Sequence, residues 1–137
     1  MDLHQGECFF AAEPKANSLT VAAYVNDLAT HAHTQGVTKL TVLLDRNSTH
    51  GPKMRQALTD LQPLIPVVFL YVAAYSPRLN PAEYLIHLIR LKLLHHADPA
   101  QNLAQVQQRL EKNVHKKVWL SPEQLLKLLS FIEKSVP

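Results

Sequence analysis

The sequence predicts an α/β layer fold in which strands alternate with helices, and three observations carry that prediction. Lys39–Asp45 (KLTVLLD) and Pro66–Val72 (PVVFLYV) are continuous apolar runs of strand length, the pattern of strands covered on both faces. The segments between and beyond them repeat apolar residues at helical spacing. Gly, Pro and Asn punctuate the boundaries. Such an alternation favours parallel pairing with right-handed crossovers. In sheets of that kind, chemistry gathers beyond the carboxyl ends of the strands.

The elements follow in order. Glu7–Ala12 (ECFFAA) is short and apolar and reads as a strand. Asn17-Ser18 offers a helix cap, Val21, Val25, Leu28 and Ala32 follow at helical spacing, and Gly36 marks the stop. The Lys39–Asp45 strand comes next and closes on an acid. Gly51-Pro52 opens a helix with Met54, Ala57, Leu58 and Leu61 on one face, ended by Pro63 and Pro66. After the Pro66–Val72 strand, Asn80-Pro81 starts a helix running to about His96, and Asp98-Pro99 breaks it. A further helix spans about Gln101 to His115. Ser121-Pro122 opens the last one, with Gln124 at the capping-box position. Cys8 reads as a small core residue.

The 137 residues suit one domain. With 47% hydrophobic and 18% charged residues, the chain is globular rather than disordered. The longest apolar run, Val67–Tyr75, is far below the ~20 residues of a membrane helix. No basic-then-apolar leader is visible, so a cytoplasmic protein with no membrane partner is expected. A single cysteine excludes an internal disulfide framework and a multi-cysteine zinc site, and suits a reducing compartment. His31/His33 and His95/His96 lack the i, i+4 spacing of a zinc-binding helix face, so no zinc is expected. Residues 1–50 carry three Lys/Arg against five Asp/Glu, and residues 51–137 eleven against six. A basic second half attracts a polyanion such as DNA, although a lysine-rich solvated surface reads the same way.

Two segments carry chemistry: Leu43–His50 (LLDRNSTH) and Ala74–Glu83 (AYSPRLNPAE). Taken alone, Asp45 is a strand-end acid that either binds a cation or caps the turn before Pro52. Asn80 fits an N-cap, Pro81 the first helical position and Glu83 the third, where a carboxylate favours the helix start. That position leaves the carboxylate open to a metal as well.

Together the segments resemble the DDE transposase and integrase superfamily, in particular the mariner-like bacterial insertion-sequence transposases, or DDE superfamily endonucleases. In that family an apolar strand ends in Asp, an Asn follows closely and a His lies five residues on. A Tyr-Ser-Pro-x-Leu-Asn-Pro-x-Glu segment then opens a helix. Here His50 is five past Asp45, 37 residues separate Asp45 from Glu83, and YSPRLNPAE matches every fixed position. The chain departs from the pattern at Arg46, which intervenes before Asn47, and at Ile86, where the family commonly has Trp.

The resemblance implies an RNase H-like fold, Mg²⁺ (or Mn²⁺) dependence, and DNA strand cleavage and transfer at transposon ends and target. It makes Asp45 and Glu83 the second and third metal-binding catalytic acids, with Asn47, His50, Tyr75, Asn80 and His87 as active-site neighbours. Arg78, Arg90 and Lys92 are the candidate DNA contacts. It further implies a truncated RNase H-like fold: the first two strands and the first acid are absent, and three strands alternate with helices, followed by extra C-terminal helices. The whole, 1–137, is then a single partial catalytic domain, with its RNase H-like part at about 7–97 and its C-terminal helices at about 101–134. The chain alone is expected to be inactive and to self-associate through an open sheet edge or exposed helices. The alternative is a non-catalytic remnant that binds DNA or a full transposase as a regulatory module.

Overall fold

The computed structural model describes residues 1–11, 13–74, 76–94 and 102–135. It comprises two units, Glu13–Ser76 and the pairing of Met1–Ala12 with Pro77–Pro137. Each is described by itself.

In the Glu13–Ser76 unit, helix α1 (Ser18–Thr34) starts where Asn17 leaves extended backbone. Asn17 Oδ1 accepts the Leu19 and Thr20 N–H groups, and Thr20 Oγ1 accepts the Asn17 N–H, satisfying donors that a helix start leaves open. Strand β2 (Leu40–Leu44) pairs in parallel with β3 (Val67–Tyr71), from Leu40 opposite Val67 to Leu44 opposite Tyr71. Helix α2 (Pro52–Asp60) makes the crossover, with Pro52 in its first turn. Ala22 and Val25 of α1 and Met54 and Leu58 of α2 form the buried centre, against Val42, Leu44, Val67 and Phe69.

Two-sided burial of the strands is not what forms. Val67 and Phe69 face the helices, whereas Val68 is 38% and Leu70 53% exposed. The strand alternates as any strand does, but apolar residues occupy both of its faces. The sequence therefore hides a one-sided burial that a polar residue at 68 or 70 would have revealed.

The first strand also differs from expectation. Only Glu7–Cys8 (β1) is extended and paired, and its partner is antiparallel β4 (Lys117–Val118). Glu7 lies opposite Val118 and Cys8 opposite Lys117. Phe9 and Phe10 do not extend the ladder. Their rings meet His115 edge-on at 5.0 and 5.6 Å, and the Phe10 N–H donates to His115 Nδ1 at 3.4 Å. A two-residue strand such as β4 is too short to show a periodicity, which is why the sequence did not predict it.

The second unit holds helices α3 (Pro81–Ile89), α4 (Leu103–Asn113) and α5 (Pro122–Ser135), with a π-helical turn at Arg90–Leu94 after α3. Reciprocal capping boxes start α4 (Asn102 with Gln105) and α5 (Ser121 with Gln124). Cys8, Leu85 and Val114 form its buried centre, lined by Ile89, Leu110 and Trp119. Burial pushes the Cys8 thiol up from its ordinary value, so it stays protonated as an apolar core group. Ala12, Tyr75, the expected helix end at His96, the Asp98-Pro99 break and Gln101 lie outside the described residues. Among the described residues no helix is long and apolar enough to cross a membrane.

Candidate active site

Asp45 is the residue immediately after β2, and the ladder sets it there: Val72 N–H donates to Leu44 O at 2.9 Å, the last bond before the strands part. The chain then turns sharply through a 3-10 turn, Ser48–His50, before α2. Asn47 holds that turn. Its Oδ1 accepts from the Thr49 N–H and Oγ1–H, both at 3.0 Å, and its carbonyl accepts the His50 N–H at 2.9 Å. The turn brings the His50 ring back onto Asp45.

His50 Nδ1 lies 2.7 Å from Asp45 Oδ1 and 3.2 Å from the Asp45 carbonyl oxygen. A ring nitrogen facing two oxygen acceptors carries the proton. Asp45 Oδ1 also accepts the Asn47 N–H at 3.1 Å. One carboxylate oxygen is thus held by two donors. The other has no hydrogen-bond partner among the described residues, on a side chain that is 46% exposed. The capping reading of Asp45 is realised in part, because Oδ1 does close the turn, and Oδ2 stays available.

Tyr71, the last residue of β3, joins this end of the sheet. Its hydroxyl donates to the His50 carbonyl at 2.7 Å and accepts from Arg55 Nη1 at 2.8 Å. The Arg46 and Arg55 guanidinium carbons each lie 5.9 Å from the Tyr71 ring centroid. Sequence reasoning gave no role to Tyr71 or Arg55 and treated Arg46 only as an interruption. The usable signal was a Tyr, with its polar tip, closing an apolar strand, but its neighbours follow only once the β2–β3 register is known.

In the other unit, Asn80 caps α3 by accepting the Ala82 N–H at 3.1 Å. The Asn80 N–H goes to the Pro77 carbonyl at 2.9 Å, so Glu83 does not reach back to close a capping box. The Glu83 carboxylate stands half-buried at the positive end of the helix, without a polar partner among the described residues. Arg78 lies in the 3-10 turn before α3 and is exposed, as are His87 and Arg90. Lys92 is exposed as well, its ammonium 6.0 Å from the Trp119 ring centroid. The structure therefore groups Asp45, Asn47 and His50 in one unit and Asn80 and Glu83 in the other. Tyr75 falls outside the described residues.

The donors fit a hard divalent cation. The free oxygen of Asp45 and the carboxylate of Glu83 are oxygen ligands of the kind that magnesium and manganese accept. No cluster of three or more His, Cys, Asp or Glu that could hold a metal occurs among the described residues.

The family model for the DDE superfamily endonuclease matches residues 1–107. The chain belongs to the DDE superfamily endonucleases. The match spans both the Asp45 turn and the start of α3, so both segments read from the sequence lie within it. Searches of curated proteins and of solved structures gave no match. Membership in these endonucleases implies transposase-type nuclease chemistry on DNA, and such nucleases generally use divalent metals.

Proposed function

We propose that this chain is part of a DNA transposase catalytic domain of RNase H-like fold, in which Asp45 and Glu83 hold Mg²⁺ or Mn²⁺ during strand cleavage and transfer at transposon ends. The observation that carries the proposal is the Asp45 carboxylate at the carboxyl end of β2. It is oriented by His50 and Asn47 through one oxygen and left open through the other. Bound divalent ions would activate water and stabilise the leaving oxygen. The chain's own part is to fix the direction of the Asp45 carboxylate, to present Glu83 from the first turn of α3, and to offer Arg78, Arg90 and Lys92 to the DNA backbone. Asn80 sets the start of α3 and hence the direction of Glu83. Residues 1–137 form in this reading a single partial catalytic domain.

Two acids are fewer than the three this chemistry uses. Neither aspartate ahead of Asp45 ends a strand: Asp2 closes a turn through the His4 and Gln5 N–H groups, and Asp27 lies on α1. Residues 1–137 alone are therefore expected not to nick supercoiled DNA in Mg²⁺ or Mn²⁺, because a missing ligand removes charge that the transition state needs. Gel assay of nicking checks this. Metal-dependent nicking lost in Asp45→Ala would overturn the inactivity and assign the site directly.

Self-association belongs to the same reading. Among the described residues β2 and β3 have only each other as ladder partners, and β3 exposes Val68 and Leu70. Unpaired strand edges recruit further strands. The expected result is a mass in light scattering that rises with protein concentration. A constant monomer mass would exclude the idea.

A further inference from the structure

We infer that Arg46, Tyr71 and Arg55 form a platform that binds two phosphates of the DNA strand beside Asp45. The inference rests on the reading of Asp45 as a cleavage-site acid only for which stretch of DNA is seated. Both arginines are exposed, and neither has a carboxylate partner among the described residues. Unpaired guanidiniums on one small surface are the groups best suited to phosphate, since each presents a rigid fork of donors.

Tyr71 keeps them together. Each guanidinium carbon is 5.9 Å from its ring centroid, so the two are at most twice that distance apart. Phosphates on one strand recur about every 3.4 Å along the helix axis, so the pair can hold two phosphates of a single strand. The arginines come from different elements, Arg46 from the turn after β2 and Arg55 from α2. Only the end of β3 brings them to one place, which is why the linear sequence does not show the platform.

The platform is tied to the acid. Arg55 donates to the Tyr71 hydroxyl, Tyr71 donates to the His50 carbonyl, and the His50 ring donates to Asp45. A strand seated on the arginines is thereby registered against the Asp45 carboxylate through three hydrogen bonds. This assigns the site a backbone-positioning role that carries no base preference.

The test is the salt dependence of binding of a fluorescein-labelled random-sequence duplex to the full chain, read by anisotropy. Wild type is expected to bind, with log K falling linearly in log salt. Each arginine removed should make that slope shallower by about 0.9, so Arg46→Gln/Arg55→Gln should lose about 1.8 and either single variant half of that. Tyr71→Phe keeps both charges and should keep the slope while weakening binding severalfold at fixed salt. An unchanged slope in the double variant, or no duplex binding by wild type, overturns the platform. A Tyr71→Phe curve superimposable on wild type overturns the role of the hydroxyl. Mn²⁺ binding by wild type, measured separately by electron paramagnetic resonance, reports on the metal reading. Its failure with the slope losses intact would sink that reading and leave the platform standing.

Discussion

Asp45→Ala is expected to lower the affinity of the chain for Mn²⁺ by about 100-fold or more, and His50→Ala by about tenfold, within the range typical of a group that orients a ligand. The difference follows from geometry. In the proposed reading Asp45 supplies the free oxygen, so its removal deletes the ligand. His50 touches the other oxygen, at 2.7 Å, and decides where the free one points. Without the ring, only the Asn47 N–H at 3.1 Å holds the carboxylate, which then samples other rotamers at an exposed strand end. Two replacements separate orientation from direct ligation. An Asn amide at position 50 places an N–H where Nδ1 stands, whereas a Gln amide reaches the region of Nε2. Orientation predicts rescue by His50→Asn and not by His50→Gln. The reverse order would make His50 itself a ligand, and wild-type affinity in His50→Ala would remove it from the site. Titration of Mn²⁺ by electron paramagnetic resonance reads all four variants.

The sequence offered candidate residues for this site and withheld most of their contacts. Asp45, Asn47 and His50 were singled out by the family resemblance, and the short turn after β2 brings them into reach of one another. Asn80, Pro81 and Glu83 were legible because a helix start has strong residue preferences. Tyr71 and Arg55 were not, because their meeting depends on a strand register and a crossover helix. The helix starts were read to within a few residues for the same local reason: Asn17, Pro52, Asn80 and Ser121 each stand at one. The strands were read less well. Their apolar runs located β2 and β3, but pairing is non-local, so the partner of β1 and the bare face of β3 could not be inferred from composition. Val68 and Leu70 illustrate the limit, since an apolar residue in a strand announces burial whether or not anything covers it.

Gly6→Ala is expected to destabilise the chain by roughly 2–5 kcal/mol, the sum of about 1–2 for a left-handed backbone and about 1–3 for overpacking. Gly6 has φ +71°, and a Cβ built there collides with the Leu120 carbonyl oxygen and sits 3.4 Å from Leu125 Cδ1. The obstacle is backbone, so no side-chain rotation relieves it. Leu120 cannot withdraw freely either, because Trp119 N–H donates to Gly6 O at 3.1 Å and Lys116 N–H to Cys8 O at 2.7 Å, which clamp the β1–β4 pair immediately beside the clash. Gly36 provides the matched control. Its φ is +79°, but an added Cβ meets nothing within 4 Å. Gly36→Ala should therefore incur only the conformational cost, about 1–2 kcal/mol. Urea unfolding measures the difference, and Cys8 locates it. This thiol is 1% exposed in the β1–β4 pair and should react slowly with a thiol reagent in wild type and in Gly36→Ala. If Gly6→Ala opens the pair, Cys8 reacts quickly at urea concentrations where the helices remain folded. Equal stability of the two alanine variants, with Cys8 protected in both, would mean that the chain enters β1 by another path than the one described.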